Sequence, residues 1–281
     1  MTLLQIVILS IVQGAAELLP VSSSAHVIVA EKLMGLDPTA PAMTLLLVML
    51  HTGTMFAVLV YFWKNWVDTY FNSPESRIKN AIYLLIATAI TGVVGLGLQE
   101  IIKHIVGGNM QNFEIEHLFG NAKLMAVSLA AAGILIIASS RMKSNLFGDL
   151  SLATVAWIGA VQGLCLPFRG FSRSGATIST GLALGVARRR AEEFSFALAV
   201  VLTPAVIVKE SYRLYKHQTA LAASSAPDLL HLIGPGFLGM AFSFGAGLLA
   251  LRWLSNWLEN GRWSFFGGYC LLASLVVFWI G

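Results

Sequence analysis

Six apolar runs dominate the sequence, and we interpret them as membrane-spanning helices, which need about 20 residues each. Hydrophobic residues make up 57% of the 281 residues and charged residues 11%, whereas soluble domains carry about 25% charged residues. A soluble globule cannot hide that much apolar surface from water, so a soluble enzyme and a disordered chain are both excluded. The six runs are Met43–Trp63, Ala81–Leu98, Ala122–Ser139, Phe194–Val208, Leu232–Leu251 and Trp263–Ile280.

Two further apolar stretches are interrupted by proline, glycine and polar residues. The first extends from the N-terminus to about Leu36, and the second from Leu150 to about Ala187. Proline and glycine break a helix, and ionisable groups survive in lipid only where protein buries them or a cavity admits water. We therefore predict two re-entrant hairpins, in each of which a helix enters the membrane, turns, and leaves on the same side.

The two interrupted stretches resemble each other. Val12–Gly14 in the first matches Val161–Gly163, which lies 149 residues later, and both continue into Leu-Pro and then Ser-x-Ser. Three apolar runs follow each stretch, and this odd number inserts the second half upside down. The predicted fold is therefore an all-α membrane protein with six transmembrane helices, two re-entrant hairpins and an inverted-topology repeat. It forms one domain, 1–281, with halves of approximately 1–140 and 149–281.

The distribution of lysine and arginine predicts the orientation. Ten lie on the side opposite the N-terminus and six on the N-terminal side, and the side richer in lysine and arginine is cytoplasmic. Both termini are then expected outside. The ten are Lys64, Arg77, Lys79, Arg141, Lys143, Arg188, Arg189, Arg190, Arg252 and Arg262, and the six are Lys32, Lys103, Lys123, Lys209, Arg213 and Lys216.

The first hairpin carries a carboxylate and several hydroxyl groups. Gln13 and Glu17 are four residues apart and so share one face of a helix. A carboxylate within the membrane indicates a functional site, although a structural hydrogen bond to a turn amide is the alternative. At least one serine of Ser22–Ser24 is expected to cap the outgoing helix. His26 suits acid–base or nucleophilic work, or is a buried core histidine.

The second hairpin carries groups that suit a phosphate. Gly170 permits close backbone approach, and the hydroxyls of Ser172, Ser174 and Thr177 can bind phosphate oxygens beside the guanidinium of Arg173. The alternative is that Arg173 only snorkels or pairs with the carboxylate of the first hairpin. If the hairpins meet at the midplane, the natural ligand is the phosphate headgroup of a lipid.

These residues resemble the signatures of the bacterial undecaprenyl-diphosphatases, an integral-membrane bacitracin-resistance family. The first signature is matched by Gln13–Glu17 (QGAAE) and Pro20–His26 (PVSSSAH), and the second by Gly170–Thr177 (GFSRSGAT). The family has a proline directly before that glycine. Here two residues, one of them Arg169, separate Pro167 from it, which changes the turn and adds a second arginine.

The resemblance implies hydrolysis of undecaprenyl diphosphate to undecaprenyl phosphate and inorganic phosphate, which recycles the lipid carrier for peptidoglycan synthesis. Bacitracin would compete by binding the substrate. The protein is expected among the lipids of the bacterial plasma (inner) membrane, with its active site open to the external, periplasmic side. A divalent cation, Mg or Ca, and a possible homodimer are further expectations, and the modest net charge of +4 predicts no nucleic-acid partner.

The resemblance also suggests roles for individual residues. The nucleophile is left open between Ser23, His26 and water, with a covalent route preferred. A transporter or flippase of polyprenyl phosphate is the alternative function, because inverted repeats with broken helices are a transporter architecture; a purely structural subunit is a third. The expected catalytic residues are Glu17, Ser23, His26 and Arg173, the substrate-binding residues are Gln13, Ser22, Ser24, Gly170, Ser172, Ser174 and Thr177, and the metal ligand is Glu17.

Overall fold

Ten α-helices account for nearly all of the described chain, and no strand occurs in it. The computed structural model describes residues 1–37, 40–107, 121–142, 147–221 and 230–280. In chain order the helices are α1 (Leu3–Leu18), α2 (Ser23–Leu33), α3 (Pro41–Tyr70), α4 (Pro74–Gly107), α5 (Ala122–Ser140), α6 (Leu152–Cys165), α7 (Arg173–Ala183), α8 (Arg188–Leu221), α9 (Leu230–Glu259) and α10 (Trp263–Ile280).

Five helices of the described chain are long and apolar enough to cross a membrane, so the protein is a multi-pass membrane protein. They are α3, α4, α5, α8 and α9, and each contains one of the predicted apolar runs. The sixth run forms α10, which has 18 residues and is shorter than the other five. Several helices extend beyond their apolar runs, because polar residues at the ends continue the hydrogen-bonding pattern of the helix.

The two interrupted stretches form two helix pairs. Helix α1 packs against α2, and α6 packs against α7. Both α2 and α7 have 11 residues, which at 1.5 Å per residue is about 16 Å and much less than the ~30 Å core of a membrane. Neither helix can therefore cross a membrane alone.

Each pair packs tightly against a span from the other half of the chain, and a glycine allows the close approach. A Cβ atom on Gly14 of α1 would lie 2.6 Å from the carbonyl oxygen of Ser243 in α9. A Cβ atom on Gly163 of α6 would lie 2.8 Å from the Cβ atom of Val94 in α4. Small residues at such contacts let two helix backbones pack closely within a membrane. The two matched Val-Gln-Gly motifs therefore have the same packing role.

Aromatic side chains hold α3 against α8. The rings of Phe62 and Phe196 are stacked with centroids 5.3 Å apart, and Phe62 also stacks on Trp66 at 5.6 Å. The indole N–H of Trp66 donates a hydrogen bond to the carbonyl oxygen of Glu193 at 3.3 Å. Because the stacked rings are buried, they fix the relative position of the two helices.

Candidate active site

The turn of the first hairpin contains an unusual backbone conformation. Pro20 cannot continue α1, and Ser22, the residue before α2, has φ 67°. A positive φ is uncommon for a residue with a Cβ atom and is typical of functional sites. The ring Nδ1 of His26 lies 2.8 Å from the carbonyl oxygen of Ser22, which stabilises the corner. This corner places Ser23 at the first position of α2.

The turn of the second hairpin places Arg173 at the equivalent position of α7. Gly170 has φ 101°, and a Cβ atom there would lie 2.3 Å from the carbonyl oxygen of Met125 in α5. Only glycine fits both the conformation and the space. The hydroxyl of Ser172 accepts a hydrogen bond from the amide of Gly175 at 3.2 Å, which caps α7 and starts the helix at Arg173.

The two hairpins meet at the carboxylate of Glu17. The guanidinium Nη2 of Arg173 donates to Oε1 at 2.9 Å, and the hydroxyl of Ser23 donates to Oε2 at 2.5 Å. The side-chain amide of Gln13 also donates to Oε2, at 3.2 Å. Gln13 and Ser23 belong to the first hairpin and Arg173 belongs to the second. The Glu17 carboxylate is therefore hydrogen-bonded to residues of both hairpins.

The ion pair with Glu17 involves only one of the two terminal nitrogens of the Arg173 guanidinium. Nη1 of Arg173 is buried and has no hydrogen-bond partner within the described residues. A buried donor without a partner is costly, and this one can be satisfied by an anionic ligand. An ion pair with Glu17 and phosphate binding are the alternatives predicted for Arg173 from the sequence, and this geometry is compatible with both at once.

A cavity of about 360 Å³ lies over this cluster. Its floor is polar, and one wall is apolar where α3 and α8 contribute Leu47, Val48, Leu202 and Val206. The cavity therefore suits a ligand with a charged headgroup and a hydrocarbon tail. Eight of the residues singled out from the sequence line it, namely Gln13, Glu17, Ser22, Ser23, Ser24, Ser172, Arg173 and Ser174.

Three other residues singled out from the sequence do not line the cavity. Nε2 of His26 lies 2.7 Å from the hydroxyl of Tyr269 in α10. The hydroxyl of Thr177 donates to the carbonyl oxygen of Arg173 at 2.8 Å, and Gly170 packs on α5. These three residues stabilise the two turns without lining the cavity.

Two ionisable residues that are not among the predicted site residues also line the cavity. Nε2 of His51, in α3, is 3.8 Å from Oε2 of Glu17. Glu31, in the last turn of α2, is 1% exposed. Both are ionisable residues within apolar segments, and such residues indicate a functional site. That signal was present in the sequence.

The acidic groups of the cavity restrict which cation could be bound. No group of three or more His, Cys, Asp or Glu side chains suited to a metal occurs in the part of the chain that the structure describes. Magnesium, which is often held by one or two carboxylates, water and substrate phosphates, fits Glu17.

The fold and the site define a class: a multi-pass helical membrane protein with a headgroup-binding cavity built on a carboxylate, an arginine and serines. The family model described as "Bacitracin resistance protein BacA" matches residues 6–276, and the chain belongs to that family. The resemblance found in the motifs is thereby confirmed.

Named relatives span nearly the whole chain. The chain is 65% identical to undecaprenyl-diphosphatase 2 of Acinetobacter baylyi, covering 99% of this chain and 97% of the relative. It is 32% identical to undecaprenyl-diphosphatase of Gluconacetobacter diazotrophicus, covering 100% of this chain and 97% of the relative. It is 29% identical to undecaprenyl-diphosphatase of Korarchaeum cryptofilum, covering 99% and 98%.

Proposed function

We propose that this protein hydrolyses undecaprenyl diphosphate to undecaprenyl phosphate and inorganic phosphate. The relatives are named undecaprenyl-diphosphatase, and the match covers almost their full length. The observation that carries the proposal is the Glu17 carboxylate, which accepts hydrogen bonds from Ser23 and Arg173 inside a cavity with an apolar wall. The reaction recycles the lipid carrier of peptidoglycan synthesis.

The second hairpin binds the diphosphate in this proposal. The unpartnered Nη1 of Arg173 donates to a phosphate oxygen, and Ser172 and Ser174 also line the cavity. The partial positive charge of the α7 N-terminus favours the same anion. The prenyl chain follows the apolar wall formed by α3 and α8.

The first hairpin supplies the nucleophile. The oxygen of Ser23 attacks the terminal phosphorus while Glu17 accepts the hydroxyl proton, and undecaprenyl phosphate leaves with its electron pair. Water then hydrolyses the phosphoserine and releases inorganic phosphate. Arg173 offsets the charge on the transferred group in both steps. His26 faces Tyr269 instead of the cavity, so its role is to hold the Ser22–Ser23 corner.

A divalent cation, Mg or Ca, is part of the proposal. Glu17 would hold it together with phosphate oxygens of the substrate, and the ion would supply further positive charge against the diphosphate. Hydrogen bonds within the chain still position the two reacting groups: Gln13 and Arg173 bind Glu17, the base, and Glu17 binds Ser23, the nucleophile.

The proposal also covers the membrane topology. The proposal includes six transmembrane helices with α10 as the sixth, two re-entrant hairpins, and inverted halves of approximately 1–140 and 149–281. Support comes from the short α2 and α7 and from the matched contacts of α1 with α9 and of α6 with α4. The lysine and arginine count supports a cavity open to the periplasmic side of the inner membrane; Lys143 of that count lies outside the described residues.

The direct test is phosphate release from a C55 or C15 prenyl diphosphate by pure protein in detergent micelles. Wild type is expected to release phosphate, and Glu17→Gln and Arg173→Ala are expected to lose it. Chelation of divalent cations should lower phosphate release, because the proposal includes a cation. Added bacitracin should slow phosphate release by binding the substrate. Lipid movement across vesicles without phosphate release would favour the transporter instead. A homodimer stays a prediction.

A further inference from the structure

His51 lines the cavity but has no part in the mechanism above. It belongs to α3, and its ring Nδ1 donates a hydrogen bond to the carbonyl oxygen of Leu47 at 2.8 Å. A carbonyl oxygen can only accept, so Nδ1 carries the ring proton, and a neutral ring then has its lone pair on Nε2. Nε2 lies 3.8 Å from Oε2 of Glu17. The ring therefore presents a hydrogen-bond acceptor to the reacting groups.

Contacts with α9 fix the part of α3 that carries His51. The preceding residue, Leu50, is fully buried, and its carbonyl oxygen accepts a hydrogen bond from the hydroxyl of Ser243 at 3.0 Å. A Cβ atom on Gly53 would lie 2.4 Å from the carbonyl oxygen of Met240, so the two helices pack closely. The His51 ring is therefore held by its backbone and by Nδ1.

The distance between Nε2 of His51 and Oε2 of Glu17 suits a bridging water. At 3.8 Å the two atoms are too far apart for a direct hydrogen bond, whereas one water can contact both at about 2.8 Å. The same Oε2 accepts the hydroxyl of Ser23 at 2.5 Å. A water bound to Nε2 would therefore lie beside the oxygen that carries the phosphoryl group in the proposed mechanism.

The second step of that mechanism requires a group that orients the water. Glu17 accepts the Ser23 proton in the first step and returns it to Oγ in the second, so it is occupied as a donor when water attacks. Within the described residues, the other carboxylates and imidazoles that line the cavity are Glu31 and His51. Glu31 lies eight residues after Ser23 on α2, which is about 12 Å along the helix axis. His51 is therefore the group within reach of the water.

Building on the proposed function, we propose that His51 is the catalytic residue that orients the water for hydrolysis of the phosphoserine. Nε2 accepts a hydrogen bond from the water, whose oxygen forms the new bond to phosphorus. The bond between phosphorus and Oγ of Ser23 breaks, and Oγ keeps the electron pair and takes the proton from Glu17. Both water protons leave on the product as dihydrogen phosphate, so His51 stays neutral. Phosphoryl transfer depends chiefly on positioning of the nucleophile and on charge stabilisation.

The test separates formation of the phosphoserine from its hydrolysis. Pure full-length protein in micelles is mixed with farnesyl diphosphate labelled on its terminal phosphate, and the reaction is stopped by rapid quench. His51→Leu removes the acceptor, so it should form the phosphoserine at the wild-type rate and hydrolyse it about 10–100-fold more slowly, the scale of a misplaced reactant. The label should accumulate on the protein.

Steady-state kinetics give a second signature of the same step. When hydrolysis of the phosphoserine limits turnover, kcat and KM should fall by the same factor in His51→Leu. The ratio kcat/KM should stay at the wild-type value, because it reports only the steps up to departure of farnesyl phosphate. A general disturbance of the site would lower kcat/KM as well.

Two further variants control for the loss of the ring. The amide oxygen of His51→Gln can accept the same hydrogen bond, so this variant should hydrolyse the phosphoserine faster than His51→Leu. His104→Leu, at an exposed histidine in the last turn of α4 outside the cavity, is the matched control and should change neither step. His51→Ala replaces His51→Leu if the latter does not fold. Wild-type hydrolysis in His51→Leu, an equal loss of kcat and kcat/KM, or no gain from glutamine would overturn the inference.

The same preparations distinguish this inference from the proposed function. Phosphate release by the wild type, with phosphoserine hydrolysis unchanged in His51→Leu, would overturn the inference alone. Release without a phosphoserine would overturn the inference and the covalent route but leave the phosphatase. No release by the wild type would overturn the proposed function and this inference with it.

Discussion

The two hairpins share one layout and differ in their chemistry. Ser22 and Ser172 occupy the same position before the second helix, and each faces a serine two residues later, at 3.3 Å and 3.5 Å between the hydroxyl oxygens. The next residue is Ser23 in one hairpin and Arg173 in the other, and both bind Glu17. Equivalent backbone positions thus present the proposed nucleophile from one side and a cation from the other.

The caps show where the two hairpins diverge. Ser172 has an ordinary extended conformation, φ −60° and ψ 114°, and its side chain caps α7. Ser22 has φ 67° and makes no side-chain cap hydrogen bond. The regular turn therefore belongs to the hairpin proposed to bind the anion, and the strained turn to the hairpin proposed to carry the nucleophile.

The matched glutamines diverge too. Gln13 donates to Glu17, one helical turn further along α1. Gln162 donates instead to the hydroxyl of Thr91 in α4 at 3.2 Å, and the residue four positions after it is Leu166. The two hairpins share the packing glycine that follows the glutamine, but only the first carries the carboxylate.

The largest expected effect follows from removing the cation of the second hairpin. Arg173→Ala should lower turnover by about 100-fold or more, because charge on the transferred phosphoryl group loses its main stabilising donor. Arg169→Ala should cost less, since Arg173 is the arginine that donates a hydrogen bond to Glu17. Steady-state phosphate release in detergent measures both, and activity of Arg173→Ala equal to wild type would contradict the site.

The next effect concerns the first hairpin. Ser23→Ala should abolish a radiolabelled phosphoenzyme in rapid-quench experiments, because the hydroxyl that contacts Glu17 is gone. Ser24→Ala is the matched control, since its hydroxyl faces Ser22, and it should keep the label. His26→Ala should also keep the label with reduced turnover, and label found on His26 would transfer the nucleophile role to it.

The packing glycines provide a comparison of stability. Gly14→Ala should lower the free energy of unfolding by about 1–3 kcal/mol, in the range of overpacking a close contact. Gly163→Ala should cost somewhat less, because its new methyl group would lie 2.8 Å from Cβ of Val94 and 3.0 Å from the carbonyl oxygen of Thr91, whereas that of Gly14→Ala would lie 2.6 Å from the carbonyl oxygen of Ser243. Thermal unfolding in one detergent ranks the two variants, and the reverse order would contradict this account.

The smallest effect tests the caps. Ser172→Ala should lower the free energy of unfolding by about 1 kcal/mol, the usual cost of losing an N-cap hydrogen bond. Ser22→Ala removes no cap bond and should cost less than Ser172→Ala. Ser22→Gly should be neutral or stabilising, because glycine adopts positive φ without strain. A large loss of stability in Ser22→Gly would show that the serine side chain supports the turn.

The sequence alone determined the membrane class, the interrupted hairpins and most of the residues at the cavity. Those features depend on local properties: the length of apolar runs, the helix-breaking effect of proline, and the presence of polar residues in otherwise apolar segments. Gln13, Glu17, Ser23 and Arg173 could be singled out because each is unfavourable in lipid unless protein surrounds it.

Only the tertiary structure decided which side chains meet. Glu17 and Arg173 are 156 residues apart in the chain, and His26 turns toward Tyr269, 243 residues away, while His51 and Glu31 join the cavity. A polar residue in an apolar helix indicates that it avoids lipid, but its partner depends on how that helix is rotated and packed against distant helices. Those contacts are non-local, so no short segment of sequence contains them.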